Sequence, residues 1–252
     1  MARPEASLSR GDVAELERLL RRRLAGEPAA YVVGTREFWS LALEVGPAVL
    51  IPRPDTETLV ERALATLAGD VDGLVLEVGT GSGAVAIAIA RERPNPVVAT
   101  DLHANALAVA ARNAARHLAP ARIAFARGDW LDAVGDARVA LLVSNPPYLA
   151  ADDPHLPDLV AEPRAALVAA DDGLAALERL VAEGPRVVRP GGHVLLEHGF
   201  EQGASVRASF ARHGYADIVT HRDLAGHGRV TAGRVSRADS CCRASRSAPS
   251  AH

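Results

Sequence analysis

The fold is decided by the stretch Leu74-Val75-Leu76-Glu77-Val78-Gly79-Thr80-Gly81-Ser82-Gly83. Its first five residues form a short and mostly apolar run, which is typical of a buried strand. Three glycines then alternate with small polar residues, and the apolar segment Val85–Arg93 that follows predicts a helix. A strand, a glycine-rich turn and a helix in this order form the opening unit of an open α/β sheet.

The alternation of strands and helices continues towards the carboxyl end. Val139–Ser144 is a continuous apolar run, as expected of a central strand that is buried on both faces. Strands that alternate with helices predict an α/β fold with a mostly parallel sheet and helices on both faces. The predicted strands are Leu74–Val78, Val97–Asp101, Arg122–Ala126, Val139–Ser144, His193–Glu197, Ala216–His221 and Arg229–Arg234, and the predicted helices are Val85–Arg93, Ala104–Leu118, Leu174–Val188 and Gln202–His213.

The residues before the glycine-rich turn predict a smaller amino-terminal part. Leucines at helical spacing predict a helix over residues 11–26. Two extended segments, Glu37–Val45 and Ala48–Ile51, are predicted on either side of a turn at Gly46-Pro47, and a helix follows over Thr56–Leu67. We expect four parts, namely an abbreviated N-terminal helical segment over residues 1–30, a β-hairpin linker over residues 31–51, the main domain over residues 52–235 and a disordered tail over residues 236–252.

The composition argues against nucleic acid, membranes and metal ions as partners. The 252-residue chain has a formal net charge of −3, so no overall basic field favours nucleic acid. No run approaches the roughly 18 apolar residues of a membrane span, and the first residues are not an apolar leader. The two cysteines, Cys241 and Cys242, are adjacent and cannot form a disulfide framework or a metal site. We expect a cytoplasmic monomer without a metal and without a membrane partner.

The glycine-rich turn predicts a site for a nucleotide-like cofactor. A backbone can approach a ligand closely at glycines, here Gly79, Gly81 and Gly83, with Thr80 and Ser82 between them. In an open parallel sheet such a turn lies at the carboxyl ends of the strands, where ligands bind. The pattern alone leaves three alternatives: a methyltransferase, a nicotinamide dehydrogenase that uses a related glycine fingerprint, or a simple tight turn.

Four acidic or aromatic residues favour S-adenosylmethionine as the cofactor. Glu77 precedes the first glycine by two residues, where an acid can hold a methionine ammonium group. Asp101 ends the next predicted strand, where an acid accepts hydrogen bonds from ribose hydroxyls. Asp129 can accept a hydrogen bond from the adenine amino group, and the Trp130 indole offers adenine a flat apolar wall.

Asn145-Pro146-Pro147-Tyr148 follows the apolar strand Val139–Ser144, and so lies at the same edge of the sheet. The prolines fix φ, remove two backbone N–H groups and hold the preceding residues extended, so the loop is stiff and its carbonyls are free. The side-chain oxygen of Asn145 and the carbonyl of Pro146 can accept the two protons of a substrate –NH2 group. Pro147 stiffens this loop, and Tyr148 can stack on a planar substrate.

Such a clamp predicts methyl transfer to a planar nitrogen, with Asn145, Pro146 and Tyr148 as the catalytic residues. An amide or aryl amine is a poor nucleophile, and holding its lone pair in line with the methyl group lowers the barrier. The chemistry leaves protein amides and nucleic-acid amino groups as alternatives. A binding module without activity is a third hypothesis, whereas hydride transfer has no use for this loop.

Further motifs occur on either side of these two sites. They are Gly26-Glu27-Pro28-x-x-Tyr31-x-x-Gly34, Glu37-Phe38-Trp39, Leu50-Ile51-Pro52-Arg53-Pro54-Asp55-Thr56-Glu57, Glu162-Pro163-x-x-Ala166-Leu167, Asp172-Gly173-Leu174 and Pro190-Gly191-Gly192. With them, the chain resembles the HemK-like protein-(glutamine-N5) methyltransferases, which modify peptide chain release factors, from about Arg22 to Arg234. The Ile-Pro-Arg-Pro-Asp-Thr-Glu segment is the most specific, because many nucleic-acid methyltransferases share Asn-Pro-Pro-Tyr but lack it.

The resemblance implies a Rossmann-like class I methyltransferase domain with a seven-stranded, mostly parallel sheet, preceded by a β-hairpin and an N-terminal helical domain. It implies that Gly79–Gly83, Asp101 and Trp130 line the S-adenosylmethionine site. It also implies that Asn145 contacts both cofactor and substrate, and that the Pro-Pro-Tyr after it completes a glutamine pocket. The implied substrate is the glutamine of the Gly-Gly-Gln motif in a release factor.

Several residues depart from the family pattern. Glu77 stands where Asp is usual, and His198 interrupts the usual Leu-Glu-Ile-Gly pattern. Gly226-His227-Gly228-Arg229 differs from the usual Gly-x-Asp-Arg. The N-terminal helical domain, which the family uses to dock release factors, has roughly one helix here before Gly26.

Overall fold

The computed structural model describes residues 9–68, 72–132, 134–135 and 138–236. Its helices are α1 (Arg10–Leu24), α2 (Ala29–Val33), α3 (Glu57–Thr66), α4 (Ala84–Glu92), α5 (Ala104–His117), α6 (Ala175–Val187) and α7 (Gly203–Arg212). Its strands are β1 (Thr35–Phe38), β2 (Leu41–Glu44), β3 (Val75–Val78), β4 (Val97–Asp101), β5 (Ile123–Arg127), β6 (Val139–Ser144), β7 (Val188–Glu197), β8 (Tyr215–Arg222) and β9 (Gly228–Val235).

Strands β3 to β9 form one seven-stranded sheet in the order β5-β4-β3-β6-β7-β9-β8. Only β9 runs antiparallel to its neighbours, β7 and β8, so the predicted mostly parallel α/β sheet is confirmed. The chain passes from β3 to β4 on one side and returns to β6 on the other side. The strand order therefore reverses between β3 and β6, and the crevice above their carboxyl ends is the place where open sheets bind ligands.

The centre of the sheet is covered on both faces. All residues of β3 and β6 are buried, as the continuous apolar run of Val139–Ser144 predicts for β6. Alternate side chains of β3 point to opposite faces, so Val75 packs with α3 and α4 while Leu76 packs with α6 and α7. This two-sided burial holds the β3 and β6 ends rigidly beside each other.

The predicted positions of the two extended segments before the main domain, Glu37–Val45 and Ala48–Ile51, were wrong. The hairpin runs from β1 to β2 and turns at Trp39 and Ser40, whose φ values are +52° and +55°. The predicted turn at Gly46-Pro47 lies beyond β2, and residues 48–51 are irregular. A two-residue hairpin turn of this kind has positive φ at both central residues, and its usual sequence signal is Asn or Gly. Trp and Ser give no such signal. The turn was therefore predicted at the nearby Gly46-Pro47 pair instead.

The amino-terminal helix α1 begins one residue before its predicted start, at a capping box formed by Ser9 and Asp12. The short helix α2 was not predicted. The Arg22 guanidinium joins the two helices, because it contacts the Glu27 carboxylate and donates to the Tyr31 carbonyl at 3.0 Å. Residues 237–252, with the predicted disorder and both cysteines, lie outside the described part of the chain.

Neither a membrane-spanning helix nor a metal-binding cluster occurs within the described residues. None of the helices there has the length and apolar character to span a membrane. Within the same residues, His, Cys, Asp and Glu side chains form no group of three or more that could hold a metal ion.

Candidate active site

A cavity opens at the carboxyl ends of β3 and β6, where the strand order reverses. Its walls come from the glycine-rich turn, the chain after β4, β5 and β6, and parts of residues 48–56 and 163–166. The cavity brings together most of the predicted site residues, namely Glu77, Gly79, Thr80, Gly81, Ser82, Asp101, Asp129, Trp130, Asn145, Pro146 and Pro147. The other two predicted residues, Gly83 and Tyr148, are not among the residues that line it.

The glycine-rich turn forms one wall of the cavity. Gly79 and Gly81 have φ values of +74° and +54°, and a Cβ on either would meet no atom within 4 Å. The space beside them is therefore open to a ligand. Thr100 carbonyl oxygen accepts from the N–H groups of Gly79 and Thr80, both at 2.9 Å, and the Gly81 N–H donates to Asp101 Oδ2 at 3.0 Å. These bonds fix the turn against the end of β4.

Gly83 has a different role from the other two glycines. It caps α4 with a φ of +84°, and a Cβ there would lie 3.1 Å from the Ala110 Cβ and 3.0 Å from the Ile87 Cδ1. The missing side chain thus allows α4 and α5 to pack closely, rather than leaving room for a ligand.

Glu77 is an unusual carboxyl group because it lies at the base of the cavity and is only 3% exposed. Its Oε2 accepts hydrogen bonds from the Thr80 hydroxyl at 2.5 Å and from the Ala86 N–H at 3.1 Å. Burial raises the pKa of Glu77 to about 8, although both hydrogen bonds oppose the rise. A bound cation would offset this cost of ionisation.

The segment after β5 supplies Asp129 and Trp130 to the cavity wall. Trp130 has a φ of +47°, a left-handed conformation that aromatic residues rarely adopt. Its ring packs partly against the apolar cluster beneath the sheet. Asp129 is about half exposed and lies 3.9 Å from the Arg179 guanidinium.

The loop after β6 places Asn145, Pro146 and Pro147 on the cavity wall, and β6 is the direct neighbour of the strand that leads into the glycine-rich turn. The Asn145 side-chain Nδ2 donates to the Thr56 hydroxyl oxygen at 3.2 Å. Since the amide nitrogen is engaged, its oxygen is left to accept from another group.

Tyr148 turns away from the cavity. It packs against the apolar cluster on the α6 and α7 side of the sheet, and burial raises the pKa of its hydroxyl. Its carbonyl accepts from Gln202 Nε2 at 3.0 Å, which holds the end of the loop. Stacking of Tyr148 on a substrate stays a prediction.

Sequence reasoning assigned no role to an ion pair that spans the cavity rim. The Arg53 guanidinium, which lines the cavity, contacts the carboxylate of Glu162, and the Ile51 N–H donates to that carboxylate at 2.9 Å. The pair ties the segment before α3 to the loop at Pro163 and Ala165. Both residues belong to motifs of the resemblance, which was the only signal that could have drawn attention to them.

Known proteins of similar sequence identify the family. A family model described as "Methyltransferase small domain" matches residues 55–170, and one described as "PrmC N-terminal domain" matches residues 1–34. A release factor glutamine methyltransferase from Vibrio cholerae is 48% identical over 235 residues, which cover 92% of this chain and 82% of that protein. This chain belongs to the release factor glutamine methyltransferase family. The predicted resemblance is confirmed.

Further comparisons agree with membership in the release factor glutamine methyltransferase family. An Escherichia coli relative with that name is 46% identical over 233 residues, covering 91% of this chain and 83% of the relative. A solved methyltransferase from Pyrococcus furiosus has the same fold, with a TM-score of 0.60 at 18% identity, and the match covers 88% of this chain and all of that one. The prediction of a methyltransferase enzyme with this fold is thus confirmed.

Proposed function

We propose that this enzyme transfers a methyl group from S-adenosylmethionine to the side-chain amide nitrogen, N5, of a glutamine in a peptide chain release factor. The glutamine is the one in the Gly-Gly-Gln motif. The observation that carries the proposal is the orientation of Asn145, whose nitrogen bonds to Thr56 and whose oxygen is left for a substrate –NH2 group beside the glycine-rich turn. The family of the chain favours glutamine over a nucleic-acid base as the bearer of that group.

The residues of the cavity fit S-adenosylmethionine. The open space at Gly79 and Gly81 admits a ligand against the backbone, while the buried Glu77 carboxyl suits the methionine ammonium group. Asp101 would accept hydrogen bonds from the ribose hydroxyls. Asp129 and Trp130 would hold the adenine ring. When bound, S-adenosylmethionine supplies an electrophilic methyl group on a sulfonium centre.

The residues after β6 act on the substrate amide. The Asn145 oxygen and the Pro146 carbonyl accept its two protons, so that the nitrogen lone pair faces the cofactor site. These bonds tighten as the nitrogen gains positive charge, which stabilises the transition state more than the ground state. No strong base is needed before the attack, because the leaving thioether is neutral and the amide proton can depart afterwards.

The division of labour along the chain is also a proposal. We assign docking to residues 1–30, linkage to residues 31–51, catalysis to residues 52–235 and no catalytic role to residues 236–252. A release factor substrate favours action in the cytoplasm, and we propose a monomer, since one chain supplies every residue used above.

The function is tested by incubating the purified protein with methyl-labelled S-adenosylmethionine and either a release factor or bulk nucleic acid. We expect label on the glutamine of the Gly-Gly-Gln motif and none on nucleic acid. A release factor with Glu in place of that glutamine is the matched control and should stay unlabelled. Label on nucleic acid, or equal label on the control factor, would refute the proposal.

Glu77→Gln should separate cofactor binding from stability. The pKa of Glu77 is raised from 4.5 to about 8, so the wild-type protein loses stability as the pH rises from 4.5 to about 8, because the unfolded chain releases this proton while the buried group keeps it. The neutral variant should therefore melt at a higher temperature than the wild type at pH 8, with little difference at pH 5. It should bind S-adenosylmethionine about 10- to 100-fold more weakly, because a hydrogen bond to a charged group is worth about 1.5–3 kcal/mol.

Thermal melts at both pH values and calorimetric titration of the cofactor measure these two effects. Equal melting temperatures at pH 8 would show that the pKa of Glu77 is not raised, and an unchanged cofactor affinity would show that its carboxylate is not the ammonium partner.

A further inference from the structure

Glu197 is a buried carboxyl group that the proposed mechanism does not yet use. It ends β7, and the parallel register pairs Ser144 of β6 with Leu196, so Glu197 stands beside Asn145 where both strands end. Its exposure is 0%, and neither carboxyl oxygen makes a hydrogen bond of ordinary geometry within the described residues. Buried polar atoms are nearly always bonded, so an exception at an active site calls for an explanation.

The groups around Glu197 come from four parts of the chain. Burial raises its pKa to about 7, while the Thr56 hydroxyl, the Arg229 guanidinium and the Asn145 amide favour the ionised form. The Asp55 carboxylate opposes them, but Arg229 lies 2.8 Å from that carboxylate and partly neutralises it. Arg229 therefore reduces the repulsion between Asp55 and Glu197, and Glu197 can carry charge near neutral pH.

Thr56 connects Glu197 with Asn145. The Thr56 hydroxyl has one proton, and its oxygen already accepts from Asn145 Nδ2 at 3.2 Å. Its own proton must therefore point elsewhere, and the Glu197 carboxylate is the nearby group that can only accept. Donation therefore passes along one line: the Asn145 amide donates to the Thr56 hydroxyl, and that hydroxyl donates to the Glu197 carboxylate.

We propose that Glu197 is a positioning residue, which acts with Thr56 to hold the Asn145 amide with its nitrogen inward and its oxygen towards the substrate. This inference rests on the proposed function. A reversed amide would turn its oxygen towards the carboxylate, and two acceptors repel each other. It would also present an –NH2 group to the substrate –NH2 group, where neither can accept. An ionised carboxylate behind Asn145 excludes the reversed orientation.

Glu197→Gln tests this role because the variant keeps the shape and removes the charge. A glutamine can donate as well as accept, so it allows both orientations of Asn145. We expect kcat to fall at least about tenfold, while KM for the release factor and the dissociation constant of S-adenosylmethionine stay within about twofold. Glu178→Gln is the matched control, since Glu178 contacts Ser209 and Arg212 on the far side of α6 and should retain wild-type kcat.

The pH profile distinguishes orientation from a purely structural role. At saturating cofactor, the kcat of the wild type should rise through pH 7 as Glu197 loses its proton, and this rise should vanish in Glu197→Gln. The neighbouring groups do not imitate the effect: burial raises the pKa of Tyr148, and the pKa of buried His198 lies below its usual value. The ammonium group of a saturating cofactor would favour the ionised form of Glu77.

Thr56 provides a second test that is independent of the folding of a Glu197 variant. Thr56→Val removes the hydroxyl at nearly constant shape and should lower kcat as Glu197→Gln does, whereas Thr56→Ser should retain more activity than the valine variant. Wild-type kcat in both Glu197→Gln and Thr56→Val, or an unchanged pH profile in folded Glu197→Gln, would overturn the inference. Failure of the wild type itself to label a release factor would instead refute the proposed function.

Discussion

Asn145→Ala should lower kcat for methyl transfer to a release factor by about 10²–10³-fold, a loss comparable with removal of one oxyanion-stabilising donor in other enzymes. In the proposed mechanism the variant lacks one of the two acceptors that orient the substrate amide, so only the Pro146 carbonyl would remain to hold it. The fold should survive, because Asn145 is a polar side chain at the edge of an open cavity, where its amide nitrogen donates to the Thr56 hydroxyl. Labelled methyl transfer under saturating cofactor measures the loss.

Melting temperature and cofactor affinity are the controls for Asn145→Ala, and both should stay close to those of the wild type. Asn145 borders the cavity, but Glu77, the glycine-rich turn and Asp101 line it as well and are unchanged in the variant. Methyl transfer at the wild-type rate would show that another group orients the amide. Loss of activity together with unfolding would contradict the claim that Asn145 carries no large share of stability.

The central sheet could be predicted because burial on two faces leaves a direct trace in the sequence. Most residues of β3 and β6 must be compatible with an apolar environment, so both strands consist of apolar residues except for Glu77 and Ser144. The glycine-rich turn was predictable for a similar reason, since the positive φ values of Gly79 and Gly81 restrict the residue type. In both cases one local property of the chain determines the structure.

The errors occurred where a distant contact decides a local conformation. Trp39 adopts a positive φ in the hairpin turn, and its N–H donates to the Glu57 carboxylate at 2.9 Å, a contact across 18 residues. The sequence near Trp39 contains no signal that predicts Glu57 as its partner. The nearby Gly46-Pro47 pair gave a stronger local signal and attracted the predicted turn.

The site was predicted as a set of residues but not as a connected structure. The Arg53 contact with Glu162 spans 109 residues, and a pairing of that kind cannot be read from one sequence. Glu197 was visible as the last residue of a predicted strand, but its zero exposure and its lack of ordinary hydrogen bonds exist only in the folded chain. Sequence chemistry pointed to groups that line the cavity, whereas the contacts among them become apparent only from packing.

Gly173→Ala should be the most disruptive small substitution near the site. Gly173 has a φ of +83°, and a Cβ there would lie 2.1 Å from the carbonyl oxygen of Tyr148 and 2.9 Å from Gln202 Nε2. The left-handed conformation costs about 1–2 kcal/mol for a residue with a Cβ, and the clash adds about 1–3 kcal/mol. Relief of the clash must move the Tyr148 carbonyl, which directly follows the loop that carries Asn145.

Gly214→Ala is the matched control, because Gly214 has a similar φ of +74° but a Cβ there would meet no atom within 4 Å. It isolates the cost of the backbone conformation. Gly173→Ala should melt roughly 2–12 °C below Gly214→Ala, since 1 kcal/mol corresponds to about 2–4 °C in a protein of this size. It should also lose kcat, whereas Gly214→Ala should keep it. If both variants have the same melting temperature and transfer methyl groups equally well, the close approach of Gly173 to the Tyr148 carbonyl does not hold the loop that carries Asn145.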